Sequence, residues 1–189
     1  MPLDPSLQEF STSSPAIASY SYVDITNGTG VEVFYISKFN NSTGVEYKLV
    51  TKALESSFAS GRANITAATD CDLTPFNTPR TITGTAVLSC FGYCSSGTWT
   101  VTARFYKVSG AVETAISAST SSGAEATSAS TLIYIPLTLT DFAEGDFLRV
   151  KITPTGANAA VGTNTLGPAG LPNLDPCPFI LNIPFKLEL

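Results

Sequence analysis

The sequence predicts an all-β protein, and three observations lead to this fold class. Short runs of alternating apolar and polar residues recur along the chain, and Gly, Pro, Asn or Asp ends each run. Only 13% of the residues are charged while 43% are hydrophobic, so hydroxyl-bearing side chains and loops must supply the surface. The number of such runs leaves no room for a long helix. We therefore expect an antiparallel β-sandwich of jelly-roll type, with an extended N-terminal arm and a long C-terminal loop.

One domain is expected, because 189 residues suffice for a single full hydrophobic core. Residues 1–15 are polar, contain three prolines and are predicted to form an extended arm. Residues 16–189 are predicted to form the β-sandwich domain, with one helical turn at residues 51–57. The predicted strands are residues 19–25, 31–37, 45–51, 63–67, 80–89, 98–108, 111–119, 131–139, 147–153 and 179–189.

The first two predicted strands are separated by the sequence NGTG, residues 27–30. Asn and Gly tolerate the positive φ angles of tight hairpins, so we interpret this segment as a turn. A phosphate-binding loop would need Gly-Lys-Ser/Thr or GxGxxG at the start of a helix, and neither is present. Asn27, Asn40, Asn41 and Asn64 lie in N-glycosylation sequons, which have little meaning without a secretory route.

Strand 98–108 has the clearest alternation. Its predicted core face consists of Trp99, Val101, Ala103, Phe105 and, at the end, Lys107, whereas its other face consists of Thr98, Thr100, Thr102, Arg104 and Tyr106. A single Trp in such a pattern is more often a core residue than a platform for sugar rings. In strand 147–153, Leu148, Val150 and Ile152 form the apolar set.

Two further strands carry specific predictions. In strand 131–139, Ile133, Ile135, Leu137 and Leu139 are predicted to face away from Leu132, Tyr134 and Pro136. Pro cannot donate to a ladder, so this strand is expected at a sheet edge or at a bulge. The final strand is expected to pair within the sheet of its own chain or with a strand of a neighbouring chain. Its apolar side consists of Phe179, Leu181, Ile183, Phe185, Leu187 and Leu189. Residues 117–130 and 153–178 are predicted loops, the second of them an interface arm.

The chain has no histidine, which removes the commonest general base and the commonest metal ligand. It has four cysteines, Cys71, Cys90, Cys94 and Cys177. Only Cys90 and Cys94 are close in sequence, so a structural zinc site is disfavoured. The segment SCFGYCSSG, residues 89–97, is interpreted as a corner between two strands, with Cys90 and Cys94 either bridged or present as free thiols. Free thiols are favoured in a reducing cytosol.

Acidic residues cluster at two places. Asp70 lies close to Asp72, and Asp141 lies close to Glu144 and Asp146, so either group could hold calcium or form a glycosidase pair. Neither matches an EF-hand loop, and Asp and Gly are also common turn residues. We therefore assign no catalytic, cofactor-binding or metal-binding residue from the sequence.

The charge pattern disfavours two classes of partner. The net charge is −5, and the ten basic residues are scattered singly, which is unsuited to binding nucleic acid. No apolar run approaches the ~20 residues of a membrane-spanning helix. The N-terminus lacks the features of a signal peptide, so the chain is expected to begin at Met1 and to be made in the cytosol without export.

Three segments suggest a family: SYSYVDITNGTGVEVFYIS, DLTPFNTPRTITGTAVLS and PFILNIPFKLEL. Together they resemble small virion structural proteins of tailed bacteriophages, particularly head-decorating, jelly-roll-like proteins. The resemblance implies a non-enzymatic virion component, made in the host cytoplasm, whose partners are the capsid shell protein and copies of itself. It implies no cofactor and transfers no catalytic residue. The alternative is a carbohydrate- or receptor-binding β-module of a phage tail or fibre.

Overall fold

The structure is a computed structural model that describes residues 29–41, 44–51, 64–162 and 179–186. Every helix or strand within these residues is a β-strand, which confirms the predicted all-β class. The strands are β1 (Thr29–Asn41), β2 (Gly44–Val50), β3 (Asn64–Ile65), β4 (Thr69–Leu73), β5 (Arg80–Tyr93), β6 (Ser96–Ser109), β7 (Val112–Ala115), β8 (Thr120–Ser121), β9 (Ser128–Phe142), β10 (Phe147–Ala157), β11 (Ala160–Gly162) and β12 (Ile180–Lys186).

These strands pair in the order β3-β11-β5-β12-β1-β2-β4-β10-β6-β7, with β9 paired to β5 and β8 paired to β6. Among the described pairs, β2 and β4 run parallel and the rest run antiparallel. The sheet is therefore mixed, which corrects the prediction of a purely antiparallel one. A parallel pair needs a crossover connection rather than a tight turn, and the chain between β2 and β4 is long enough to supply it.

The core lies on the inward face of this sheet. As the alternation predicted, Trp99, Val101, Ala103 and Phe105 of β6 are fully buried, and so are Leu148, Val150 and Ile152 of the neighbouring β10. Burial of apolar surface contributes about 25 cal/mol per Å², so these alternating side chains supply much of the driving force for folding. The prediction that Trp99 is a core residue is confirmed.

Glycines make room for the Trp99 ring. A Cβ atom on Gly92 would lie 2.4 Å from Trp99 Cη2. A Cβ on Gly156, which has a φ of +144°, would lie 2.9 Å from the Thr98 carbonyl oxygen and 3.2 Å from Trp99 Cα. Trp99 is therefore held at both ends, and its buried Nε1 donates no hydrogen bond within the described part of the chain.

Strand β9 confirms one prediction and corrects another. It pairs with β5 along its length, and in the described residues its other edge has a single bridge, Ser117 to Leu137, as expected for a strand containing Pro136. Ile133, Ile135 and Leu137 are buried, but Leu139 is 64% exposed and does not belong to the apolar set. The β5–β9 register shifts between Ile82 and Gly84, so β9 carries an extra residue there and its alternation is reset.

The serine-rich segment 117–130 is not the plain loop that was predicted. Its first part lies along the edge of β6 and includes β8, and its last residues begin β9. The Ser117 hydroxyl accepts a hydrogen bond from Phe105 N at 2.9 Å, and the Ser122 hydroxyl accepts one from Val101 N at 3.0 Å. These side chains replace backbone carbonyls as ladder partners, which explains why predicted strand 111–119 is limited to β7.

Several other boundaries also differ from prediction. Strand β4 was not predicted, and β10 and β11 occupy the first part of predicted loop 153–178. Strand β12 lies between β5 and β1. The C-terminal strand therefore pairs within the sheet of its own chain, which was one of the two predicted alternatives. Outside the described residues lie the arm 1–15, strand 19–25, the start of the NGTG turn, nearly all of helical turn 51–57, the rest of loop 153–178, and residues 187–189.

Candidate interaction surface

On four neighbouring strands, β9, β5, β12 and β1, the middle of the outward face carries no charged side chain, and the charges nearest to it on these strands, Asp141 of β9 and Lys186 of β12, lie at its ends. Residues directly opposite one another in paired strands lie on the same face. The register forms one row from Tyr134 through Val87 and Asn182 to Val33, and a second from Leu132 through Ser89 and Ile180 to Tyr35. We call this surface the neutral face. Its residues are Val31, Val33, Tyr35, Thr85, Val87, Ser89, Leu132, Tyr134, Pro136, Ile180 and Asn182.

The margins of the neutral face are more exposed than its centre. On the strands β1 and β9, Val31 is 54% exposed, Val33 41%, Leu132 55% and Tyr134 61%. The side chains of the inner strands β5 and β12 in the two rows are partly buried, and so is Tyr35 of β1. Single exposed apolar residues are ordinary, but a contiguous set on one sheet face marks a site of contact with another molecule.

The opposite part of the sheet, formed by β4, β10, β6 and β7, carries charges. Arg149 binds Asp72 in a bidentate manner, because its Nε and Nη2 donate to the two carboxylate oxygens at 2.6 and 2.7 Å. Arg149 Nη1 also lies 3.3 Å from Asp70 Oδ2 and 3.3 Å from Glu113 Oε1, and Lys151 Nζ lies 3.5 Å from Asp70 Oδ1. We call Asp70, Asp72, Glu113, Arg149 and Lys151 the charged cluster.

The charged cluster is internally compensated. The hydrogen bonds to Asp72 are the main reason that the pKa of Arg149 is raised above its usual value. The carboxylates of Asp70 and Asp72 were considered as calcium ligands or as a glycosidase pair. Each of them forms an ion pair with a cation of the adjacent strand β10. In the described ranges, no three His, Cys, Asp or Glu side chains meet in a group that could hold a metal ion.

The second acidic group lies at the turn between β9 and β10. Asp146 Oδ2 accepts a hydrogen bond from Ala143 N at 2.8 Å and lies 2.9 Å from Lys107 Nζ. Hydrogen bonds from Lys107 and Ser109 lower the pKa of Asp146 to about 2. Asp141 Oδ1 accepts a hydrogen bond from Thr81 Oγ1 at 2.6 Å. These carboxylates therefore stabilise a turn and its surroundings.

The described cysteines are buried in the core. Cys71, Cys90 and Cys94 are 0% exposed and form no disulfide, so of the two alternatives for Cys90 and Cys94 the thiol form is observed. The predicted corner at residues 89–97 is confirmed as the connection between β5 and β6, but it is shorter than expected, because β5 continues to Tyr93 and only two residues separate it from β6. Burial raises the pKa of the Cys71 thiol well above its usual value, which is unfavourable for a nucleophile.

Among the cavities lined by described residues are two shallow ones. One of about 520 Å³ is lined by Thr66, Pro154, Thr155, Gly156, Asn158 and Ala159. The other, of about 390 Å³, lies beside the charged cluster and is lined by Val45, Glu46, Tyr47, Lys48, Ala68, Thr69, Asp70 and Asp72. None of the described segments is a helix with the length and apolarity that membrane crossing requires.

No protein-family model matches the chain, and no curated protein matches it in sequence. An aminopeptidase from a Thaumarchaeota archaeon of marine sediment is similar in structure, with 11% identity and a TM-score of 0.47 over 64% of this chain and 26% of its own. A CocE/NonD family hydrolase from Staphylococcus aureus has 10% identity and a TM-score of 0.49 over 84% of this chain and 35% of its own. An α-amino acid ester hydrolase has 10% identity and a TM-score of 0.49 over 82% and 35%.

The chain thus spans between 26% and 35% of the length of these hydrolases. At such identities and TM-scores, the likeness carries no argument about activity or substrate. None of the three is described as a phage protein. The similarity to virion structural proteins, which was inferred from three sequence segments, stays a prediction.

Proposed function

We propose that this protein is a non-enzymatic structural component of a tailed-phage virion, a jelly-roll β-sandwich that decorates or cements the capsid. Its partners are the capsid shell protein and copies of itself, and its location is the virion. The observation that supports this most strongly is the neutral face, where Val31, Leu132 and Tyr134 are each more than half exposed to water.

The physical reason is the free energy of burying that surface. Covering apolar area stabilises a complex by about 25 cal/mol per Å² before the cost of association is subtracted. Specific protein interfaces bury roughly 1,600 Å² in total, and symmetry repeats each contact many times on a shell. A rigid sheet face loses little conformational entropy on binding, so a modest contact area is enough for stable attachment.

The chemistry of the other polar groups agrees with a role in contact rather than catalysis. The sequence has no histidine, and the acidic groups of the charged cluster bind cations of their own sheet. A net charge of −5 suits a surface that faces outward from a capsid better than one that lies against packaged DNA.

One observation favours the alternative, a carbohydrate- or receptor-binding module. Tyr134 is 61% exposed, and an exposed aromatic ring can stack on a sugar ring. Trp99 cannot play this part because it is 0% exposed. A glycan array with the wild-type chain and the variant Tyr134→Ala tests this alternative, which predicts glycan binding that the variant loses.

The main proposal is tested by counting copies of the chain in purified particles. Quantitative mass spectrometry with isotope-labelled peptides from β9 and β10 measures the ratio of this chain to the major shell protein. A decorating protein is expected within about threefold of the shell subunit, because it follows the symmetry of the shell. A count of only a few copies per particle would favour the tail alternative, and absence from the particle would refute the proposal.

A further inference from the structure

We infer that the neutral face binds the neutral face of a second copy of this chain, in a two-fold symmetric contact. This inference rests on the proposed function only in using the same surface as a protein contact. It assigns that surface to self-association and leaves the charged cluster on the opposite part of each sheet exposed.

The absence of charge on the neutral face is the first argument. A two-fold contact brings each residue close to copies of itself and its neighbours, so a charged residue near the axis meets a like charge. Each chain carries a net charge of −5, and two copies repel weakly over most of their surface. The neutral face avoids this repulsion because no Asp, Glu, Lys or Arg belongs to its rows.

The exposed apolar side chains at the margins of the face are the second argument. Val31 on β1 is 54% exposed and Tyr134 on β9 is 61% exposed, whereas Val87 and Asn182 between them are partly buried. Two sheets packed face to face cross at about 30° and interdigitate at roughly 10 Å separation. A second copy packed in this way would remove the exposed side chains from water.

Asn182 supplies the third argument. It lies on β12 between Val87 of β5 and Val33 of β1, and so stands inside an otherwise apolar row. No hydrogen bond to its side-chain amide is found among the residues that the structure describes. An amide both donates and accepts, so two copies of Asn182 near a two-fold axis can pair with each other, as buried Asn pairs do in coiled coils.

The area is adequate for a dimer. Four strands about 4.8 Å apart and five residues rising about 3.3 Å each define a footprint of roughly 300 Å². With protruding side chains, about 500–600 Å² of accessible surface per copy would be buried, near the lower limit for specific interfaces. We therefore expect a dissociation constant in the micromolar range.

Sedimentation equilibrium of the full chain between about 1 and 200 μM tests the inference. The mass is expected to rise from 19.8 kDa toward twice that value over this range. Leu132→Lys, which adds a charge to the neutral face, should weaken the dimer by about 100-fold or more, because the ammonium would be desolvated. Val112→Lys is the matched control: Val112 is 64% exposed on β7, outside the face, and its variant should dimerise normally.

A disulfide trap provides a second readout that does not depend on a destabilising substitution. In a Cys177→Ser background, Asn182→Cys should form an intermolecular disulfide under mild oxidation, seen as a doubled mass on a non-reducing gel. Val112→Cys should not. The described native thiols are fully buried and should remain unreactive.

A wild-type chain that stays monomeric at 200 μM would overturn the inference, and so would a dimer that neither Leu132→Lys weakens nor Asn182→Cys traps. These outcomes are separable from failure of the proposed function. A dimer that is absent from particles would support the inference and refute the virion role. A monomer in solution that is present in many copies on particles would refute the inference and support the virion role.

Discussion

Substitution of Gly92 by Ala should destabilise the protein through one specific contact. An added Cβ would lie 2.4 Å from Cη2, 2.5 Å from Cζ2 and 2.6 Å from Cζ3 of Trp99, whereas carbon atoms pack at about 3.5 Å or more. The ring would have to move by about 1 Å. The surrounding core prevents this movement, because Trp99 is fully buried and Gly156 packs against the Cα and Cβ atoms of Trp99.

The expected cost follows from these distances. Overpacking of a core costs about 1–3 kcal/mol, and the lower backbone entropy of Ala in the unfolded chain returns about 0.5 kcal/mol or somewhat more. We expect Gly92→Ala to lower the free energy of unfolding by about 2 kcal/mol. In a Trp99→Phe background the smaller ring relieves the clash, so the same substitution should be close to neutral, with a coupling of about 2 kcal/mol.

The assay is urea unfolding at 25 °C followed by far-ultraviolet circular dichroism, since Trp99 is the only tryptophan and fluorescence is lost in the Phe variant. Gly123→Ala is the control, because nothing lies within 4 Å of its Cβ position, and it should change stability by less than about 0.5 kcal/mol. Equal costs of Gly92→Ala with Trp99 and with Phe would refute the packing explanation.

Three further predictions concern charge and thiols. Arg149→Met should lower the free energy of unfolding by about 1–3 kcal/mol because it leaves three carboxylates facing one lysine. Arg104→Met, which removes a hydrogen bond to a backbone carbonyl and a contact with the Tyr106 ring, should cost less than about 1 kcal/mol in the same unfolding assay. Ionised Asp146 stabilises the fold fully above its unfolded pKa near 4, and this stabilisation is lost as the pH falls through about 2. Lys107→Met removes the main cause of the lowered pKa, so this variant should show a smaller drop in melting temperature between pH 4 and pH 2. Cys71 should resist iodoacetamide in the native state and react only after unfolding, as read by intact-mass spectrometry; rapid native labelling would contradict its burial.

The strands that alternate cleanly could be predicted from sequence, because one-sided burial imposes a period of two. In β6 the alternation identified every fully buried residue from Trp99 to Phe105. Alternation could not predict the parallel pairing of β2 with β4, since the choice of partner strand depends on packing between distant segments. Pro136 indicated an edge or a bulge in its strand, but alternation could not give the position of the bulge that turns Leu139 outward.

Strand β4 was missed for an electrostatic reason. Asp is depleted in strands, so Asp70 and Asp72 suggested a turn or a calcium site. Arg149 and Lys151 on the adjacent β10 compensate both carboxylates, and that adjacency is visible only in the fold. The serine-rich segment was missed similarly, because the Ser117 hydroxyl serves as a ladder acceptor that sequence patterns do not reveal.

The neutral face was only partly foreseeable. The alternation of β9 grouped Leu132, Tyr134 and Pro136 on one side, but a strand rich in apolar residues on both sides gives no reason to identify either as exposed. The face became apparent when the register placed these residues beside the outward positions of β5, β12 and β1. Its lack of charge is a property of four strands together.

Hydroxyl-radical footprinting of the chain in assembled particles tests most directly whether the protein works through contact at the neutral face. The oxidation rate of Tyr134 in the particle is compared with that of the released, dilute chain, and Val112 serves as the exposed reference outside the face. The account predicts that Tyr134 becomes several-fold less reactive in the particle while Val112 does not change. Equal reactivity of Tyr134 in both states would contradict it.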